Sequence, residues 1–152
     1  MSTPLLENDL RLFADTIKYY LNATSGLLPD VTSAFLGDDT VQGHEFNGII
    51  DFSGGYRGSL LVSMPRTMLR EILILQHERQ ISEATLLDAV GEVANTLAGN
   101  ARNVFGSDLD ISVPRRIHGV QRIQAEVRDR PYIITFLWGI HPGLVCVDME
   151  RE

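Results

Sequence analysis

The chain is poor in the residues that build disulfides and metal sites. Its 152 residues include one cysteine, Cys146, so an intramolecular disulfide is impossible and a cysteine-based metal site within one chain is nearly excluded. The four histidines are scattered without the spacing of zinc ligands, so we expect no metal site. They are His44, His77, His118 and His141. We interpret Cys146 as a small, buried, apolar side chain in a strand.

The chain also lacks an excess of positive charge. Thirteen Lys and Arg residues stand against 20 Asp and Glu, a formal net charge of −7, which argues against a nucleic-acid-binding protein. We interpret the basic clusters as solvated faces rather than phosphate-binding tracks. These clusters are Arg115-Arg116 and the group of Arg122, Arg128 and Arg130.

Long apolar runs are missing as well. No segment approaches the roughly 20 apolar residues needed to cross a bilayer, and residues 1–9 lack the basic and apolar regions of a secretory leader. We therefore expect a cytoplasmic protein that does not bind a membrane. Neither a Pro/Gly/Ser-rich linker nor a run of one charge divides the chain, so we predict a single domain over residues 1–152.

Three segments show the apolar recurrence of an amphipathic helix. They are Leu5–Leu21, a segment that has Pro65 in its first turn and continues through Leu75, and Ser82–Phe105. For the longest, Ser82 or Thr85 is the expected N-cap and Gly106 the expected stop. The stretch from Gly26 to Gly43 mixes turn residues with short apolar pieces and receives no assignment.

Strand-like runs make up most of the rest. Between His44 and Met64 two such runs flank Gly54-Gly55, which predicts a β-hairpin; the glycines lack the Gly-Lys-Ser/Thr ending of a phosphate loop. Four later strands are predicted: Ile111–Val113, Val120–Val127, Tyr132–Trp138 and Leu144–Val147. Together these elements predict an α/β fold, a two-layer sandwich of long helices on a mostly antiparallel sheet.

The longest predicted helix has two contrasting faces. At about 100° per residue, one arc is apolar and suited to burial against a sheet. It contains Val90, Ala94, Leu97, Ala101 and Val104. The opposite arc, called the polar stripe below, consists of Asp88, Glu92, Asn95, Gly99 and Arg102. By composition alone the stripe reads as an ordinary solvated face, but glycine in a helix costs about 1 kcal/mol relative to alanine, so Gly99 suggests close approach of another backbone.

The polar stripe resembles the signature helix of the CheC/CheX/FliY family, in which an acidic or serine residue precedes Glu by four positions and Asn follows three later. Here Asp88, Glu92 and Asn95 fit that spacing. The segment Gly54–Leu60 resembles the glycine hairpin of CheX-like members, and the order of elements is similar over nearly the whole chain. Pro114 follows Asn95 by 19 positions, slightly earlier than the family's proline. A single Glu-x-x-Asn motif resembles the CheX-like branch rather than the duplicated CheC arrangement.

The resemblance implies a phosphatase of two-component signalling that acts on the aspartyl phosphate of a phosphorylated CheY-like response regulator. It implies that Asn95 positions the attacking water and that Glu92 contacts the partner's active-site lysine. Asp88, Gly99 and Arg102 would contribute to partner binding. The response regulator would supply Mg²⁺, and the chain would bring no cofactor of its own.

The resemblance further implies a homodimer formed by joining sheets edge to edge, for which we interpret Tyr132–Trp138 and Leu144–Val147 as the shared edge. A non-catalytic module that binds a response regulator or another signalling protein remains open, because binding and catalysis would use the same face. A small-molecule sensor is the other alternative, although no residue pattern indicates its pocket.

Overall fold

The computed structural model describes residues 3–37, 42–119 and 131–152. Three helices pack on an antiparallel sheet: α1 (Glu7–Ser25), α2 (Arg66–Leu75) and α3 (Glu83–Phe105). This arrangement confirms the predicted two-layer α/β sandwich. Helix α1 begins two residues later than predicted, a normal uncertainty at helix ends, and Pro65 is the N-cap of α2 rather than part of its first turn.

The described strands form one sheet in which every strand pair is antiparallel. They are β1 (Thr3–Pro4), β2 (Asp30–Leu36), β3 (Phe46–Gly54), β4 (Tyr56–Met64), β5 (Leu109–Ile111), β6 (Arg115–His118), β7 (Tyr132–Trp138) and β8 (His141–Arg151). The order is β2-β7-β8-β4-β3-β5, with β1 beside β8 and β6 beside β3. The predicted strand Val120–Val127 lies outside the described residues.

The predicted hairpin is strands β3 and β4, paired from Phe46 opposite Met64 to Phe52 opposite Gly58. Gly54 has φ +80°, a left-handed conformation that other residues rarely adopt. A Cβ at this position would lie 2.0 Å from the backbone oxygen of Asp108. The glycine is therefore required by the turn, which confirms its interpretation as a turn residue.

The sheet buries side chains on both faces, as period-2 alternation along the strands dictates. On the helix side, Ile50, Leu60 and Val145 join one large cluster with the buried residues of α1, α2 and α3. Their neighbours on the opposite face form a smaller cluster of Ile49, Leu61, Ile133, Leu144 and Cys146. Cys146 is fully buried, which confirms its interpretation as a buried apolar side chain, and burial raises the pKa of its thiol.

The structure adds one strand to the predicted sheet and corrects the interpretation of two others. The unassigned stretch after α1 contains β2, whose residues are all exposed and which, within the described part of the chain, pairs only with β7. It therefore forms one edge of the described sheet. Strands β7 and β8, interpreted as a shared edge, are interior: β7 lies between β2 and β8, and β8 lies between β7 and β4. Their apolar runs reflect burial on both faces, which is typical of interior strands.

Candidate functional site

The candidate site lies on α3, whose two ends are fixed by local hydrogen bonds. The Ser82 backbone N–H donates to Thr85 Oγ1 at 2.8 Å, and the Thr85 N–H donates to Ser82 Oγ at 3.3 Å, which forms a capping box. At the other end the Gly106 N–H donates to the Arg102 carbonyl at 2.9 Å. Both predicted termini of the helix are confirmed.

The inner face of α3 rests closely on the middle of the sheet. Val90, Ala94 and Leu97 are fully buried, and Gly48 of β3 lies beneath Val90 and Ala94. A Cβ at Gly48 would lie 2.7 Å from the Val90 carbonyl oxygen and 3.2 Å from the Ala94 Cβ. A bare backbone at position 48 thus allows the helix to approach the sheet directly behind the polar stripe.

One member of the predicted apolar arc is misplaced. Val104 is exposed to 62% of its surface, whereas the prediction placed it in the core. In the last turn of α3 the neighbouring Phe105 turns inward instead, with its ring centroid 5.6 Å from that of Tyr56. The predicted arc is correct for the other four positions, which are buried.

The outer face of α3 presents the polar stripe as predicted. Asp88, Glu92, Asn95 and Arg102 are exposed and Gly99 is half-buried. Within residues 3–37, 42–119 and 131–152, neither the Glu92 carboxylate nor the Asn95 carboxamide makes a side-chain hydrogen bond or ion pair. Both head groups therefore remain available to another molecule.

Gly99 differs from Gly48 in having empty space outside it. A Cβ at this position would have no described atom within 4 Å apart from its own helix and chain neighbours. Packing within the described part of the chain therefore gives no reason for the glycine. The expectation of a close backbone approach at Gly99 can be met only by something outside the described residues.

A groove of about 560 Å³ runs between α3 and the segment from β5 to β6. It is lined by Asp88, Gly91, Glu92, Asn95, Ile111, Ser112, Val113, Pro114 and Arg116. Arg116, on β6, reaches across it and forms an ion pair with Asp88. The sequence interpretation as a solvated face missed this placement, because the pairing of β6 with β3 brings Arg116 to the helix.

A second groove, of about 710 Å³, separates α3 from α1. Its lining comprises Asp15, Thr16, Tyr19, Asn95, Thr96, Gly99, Asn100, Arg102, Asn103 and Ile111. Asn100 donates a side-chain hydrogen bond to the hydroxyl of Thr16, which joins the two helices at the base of the groove. Asn95 lines both grooves, as does Ile111, so these two residues lie where the grooves meet.

The charge of Glu92 also acts on a tyrosine of the neighbouring helix α1. Burial raises the pKa of Tyr20 on α1, and the negative charge of Glu92 raises it further.

Among the described residues, no group of three or more His, Cys, Asp or Glu side chains could hold a metal ion. Over the same residues, the search for a helix long and apolar enough to cross a membrane finds none.

A family model for the chemotaxis phosphatase CheX matches residues 46–137. The match spans more than half of the chain and includes the hairpin, α2, all of α3 and the strands through most of β7. The chain therefore belongs to the CheX family. No curated protein matches it closely enough to be informative.

Solved structures with the same fold come from several bacteria. The chemotaxis protein CheX from Vibrio vulnificus is 20% identical with a TM-score of 0.79, over 93% of this chain and 99% of that chain. A CheC-like superfamily protein from Shewanella sp. PV-4 is 20% identical with a TM-score of 0.81, over 95% and 99%. A chain of the CheX-CheY-BeF3-Mg²⁺ complex from Borrelia burgdorferi is 20% identical with a TM-score of 0.71, over 94% and 97%. These likenesses show the fold.

Proposed function

We propose that the chain dephosphorylates the aspartyl phosphate of a CheY-like response regulator, with Asn95 as the residue that positions the attacking water. The observation that carries this proposal is the placement of Asn95, which is exposed and lines both grooves. The family is named for a chemotaxis phosphatase, and its Borrelia relative forms a complex with CheY. A cytoplasmic location follows from such a partner.

The phosphatase has to contribute little to the reaction beyond positioning the nucleophile. Hydrolysis requires a water in line with phosphorus, and orienting a nucleophile can supply about 7–11 kcal/mol in favourable cases. A carboxamide oxygen accepts a hydrogen bond from that water without bringing negative charge toward the phosphoryl oxygens, as a carboxylate would. Asn95 can therefore do this work without a catalytic base. The Mg²⁺ would belong to the response regulator.

Glu92 lies one helical turn before Asn95 on the same exposed face. Residues three apart on a helix have Cβ atoms about 5–6 Å apart, so both head groups can contact one partner together. We assign Glu92 to docking the partner's active-site lysine. Gly99 and Arg102 continue the contact surface toward the C-terminal end of α3, and the open space outside Gly99 suits a partner backbone.

The test measures loss of phosphate from a phosphorylated CheY-like receiver domain of the same genome, with wild-type protein, Asn95→Ala and Glu92→Ala. Asn95→Ala should retain docking and lose the rate gain, whereas Glu92→Ala should weaken both. Asn22→Ala is the matched control, because Asn22 is an exposed carboxamide on helix α1 that lines neither groove. It should behave as wild type.

Two outcomes would contradict the proposed activity. Equal rates for Asn95→Ala and wild type would exclude the water-positioning role. Binding of receivers without acceleration of any of them would instead indicate a non-catalytic interaction module.

We also propose a homodimer, formed through the free edge of β2 rather than through β7 and β8. Among the residues that the structure describes, strand β2 pairs only with β7, and it exposes Val31, Phe35 and Leu36. An unpaired strand edge with apolar side chains can pair with a second copy across a two-fold axis. Light scattering of the wild type and Phe35→Glu tests this: the dimer should become a monomer, and a monomeric wild type would exclude it.

A further inference from the structure

Arg116 occupies a defined position beside the Glu-x-x-Asn motif. Its Cδ and Cγ lie 3.0 and 3.2 Å from the point where a Cβ at Gly91 would be, so its stem lies against bare helix next to Glu92. Its guanidinium pairs with Asp88, one turn earlier on α3. The side chain thus runs along the same groove that Glu92 and Asn95 line.

The local charge balance gives this arginine a specific importance. The chain has a formal net charge of −7, and the groove also presents the carboxylates of Asp88 and Glu92. A phosphorylated receiver brings further negative charge to this face, which like-charge repulsion opposes. Arg116 is the cationic residue among those lining the groove, and 48% of its side chain is exposed despite its ion pair.

We propose that Arg116 is a partner-contacting residue that binds an oxyanion of the phosphorylated response regulator, and that Asp88 is its positioning residue. The inference rests on the proposed function and extends it, because it replaces the general contribution of Asp88 to partner binding with a specific one. A guanidinium suits this task because its planar fork matches the geometry of phosphoryl and carboxylate oxygens. Pairing with Asp88 limits the conformations of Arg116 before docking, which reduces the entropy lost on binding.

The chain offers a closely matched control in Arg115. Adjacent strand residues point to opposite faces, and Arg115 pairs with Asp51 at 3.3 Å instead of with α3. The exposed fractions of the two side chains are 47% for Arg115 and 48% for Arg116. Arg115→Met and Arg116→Met therefore make the same change in charge and similar changes in exposed surface, on different sides of one strand.

The experiment titrates each variant, in the catalytically inactive Asn95→Ala background, with a same-genome receiver domain in two forms. One form is loaded with beryllofluoride and Mg²⁺ and the other is unmodified. Arg116→Met should weaken binding about tenfold, the loss of one charge-assisted hydrogen bond, whereas Arg115→Met should leave it unchanged. Arg116→Lys should recover part of the loss, and thermal unfolding of all variants confirms that they fold.

The two receiver forms identify the oxyanion. Weakening confined to the beryllofluoride form indicates a phosphoryl oxygen, and weakening of both forms indicates a receiver carboxylate. Equal binding by Arg116→Met and Arg115→Met overturns the inference. Failure of the proposed function is a separate result, seen when wild type binds or accelerates no receiver.

The positioning role of Asp88 is tested by a double-mutant cycle. Asp88→Asn alone should weaken receiver binding, and the same substitution should have no additional effect when Arg116 is already Met. In the active protein, Asp88→Asn should raise KM for the phosphorylated receiver more than it lowers kcat. Full additivity of the two substitutions would show that Asp88 acts independently of Arg116.

Discussion

The two faces of α3 differ in how closely they are packed. On the inner face, Val90 and Ala94 press on Gly48, where no room exists for one more carbon atom. On the outer face, Glu92 and Asn95 lack internal side-chain hydrogen bonds within the described residues, and Gly99 borders open space. Packing on the sheet and the proposed partner contact thus lie on opposite sides of one helix, so substitutions on the two sides should affect stability and receiver binding separately.

The largest expected effect on stability is on the inner face, at Leu97. This side chain is fully buried, and truncating a buried leucine to alanine typically costs about 2–5 kcal/mol in unfolding free energy. Leu97→Ala should therefore lower the urea midpoint substantially. Asn95→Ala, on the outer face two residues earlier, should change the unfolding free energy by less than about 0.5 kcal/mol. Similar losses in both variants would contradict the separation of the faces.

The next largest effect is expected at Gly48, beneath the helix. A methyl group there would lie 2.7 Å from the Val90 carbonyl oxygen, so helix or sheet must shift. Overpacking of this kind costs about 1–3 kcal/mol, and we expect Gly48→Ala to lose stability in that range. Chemical denaturation measures it. A Gly48→Ala protein as stable as wild type would show that α3 can move outward without penalty.

Gly99→Ala should raise the stability of the protein instead of lowering it. The substitution therefore tests directly whether the two faces of α3 differ. The added methyl group meets open space, and replacing a helical glycine by alanine gains about 0.5–1 kcal/mol. The variant should melt at a higher temperature and bind the phosphorylated receiver less tightly, because the methyl group would occupy space that the proposed docking assigns to the partner. Unchanged binding would remove Gly99 from the contact surface while leaving the gain in stability intact.

Features of the fold that depend on local periodicity could be predicted from the sequence. Features that depend on the pairing of distant strands could not. The limits and polar stripe of α3 follow from a 3.6-residue period and from the capping residues Ser82 and Gly106, and all were found. Strand β2 was missed because its residues are exposed and show no inside-outside alternation. Arg116 was assigned to a solvated face because its contact with Gly91 depends on β6 pairing with β3, about 70 residues earlier in the chain.

The smallest expected effect concerns a network of surface ion pairs beside the N-terminal end of α3. Glu45 pairs with Arg66 at 2.8 Å and with His118 at 2.7 Å, and His118 also faces Glu83 at 3.4 Å. Hydrogen bonds from Arg66 and then from His118 hold the pKa of Glu45 below its usual 4.5. Burial lowers the pKa of the nearby His44 below its usual 6.5.

Both shifts act in the same direction on stability. A group whose pKa is lower in the folded state binds protons more readily when the chain is unfolded, so stability falls as the pH falls. The loss from His44 should begin below pH 6.5, and that from Glu45 below pH 4.5. Denaturation at a series of pH values should show the upper loss disappear in His44→Gln and the lower one in Glu45→Gln.

Because exposed ion pairs contribute only about 0.2–1 kcal/mol, the Glu45 step should be smaller than the effect of Gly48→Ala. A Glu45→Gln protein that loses stability below pH 4.5 as steeply as wild type would show that the network does not stabilise this end of α3.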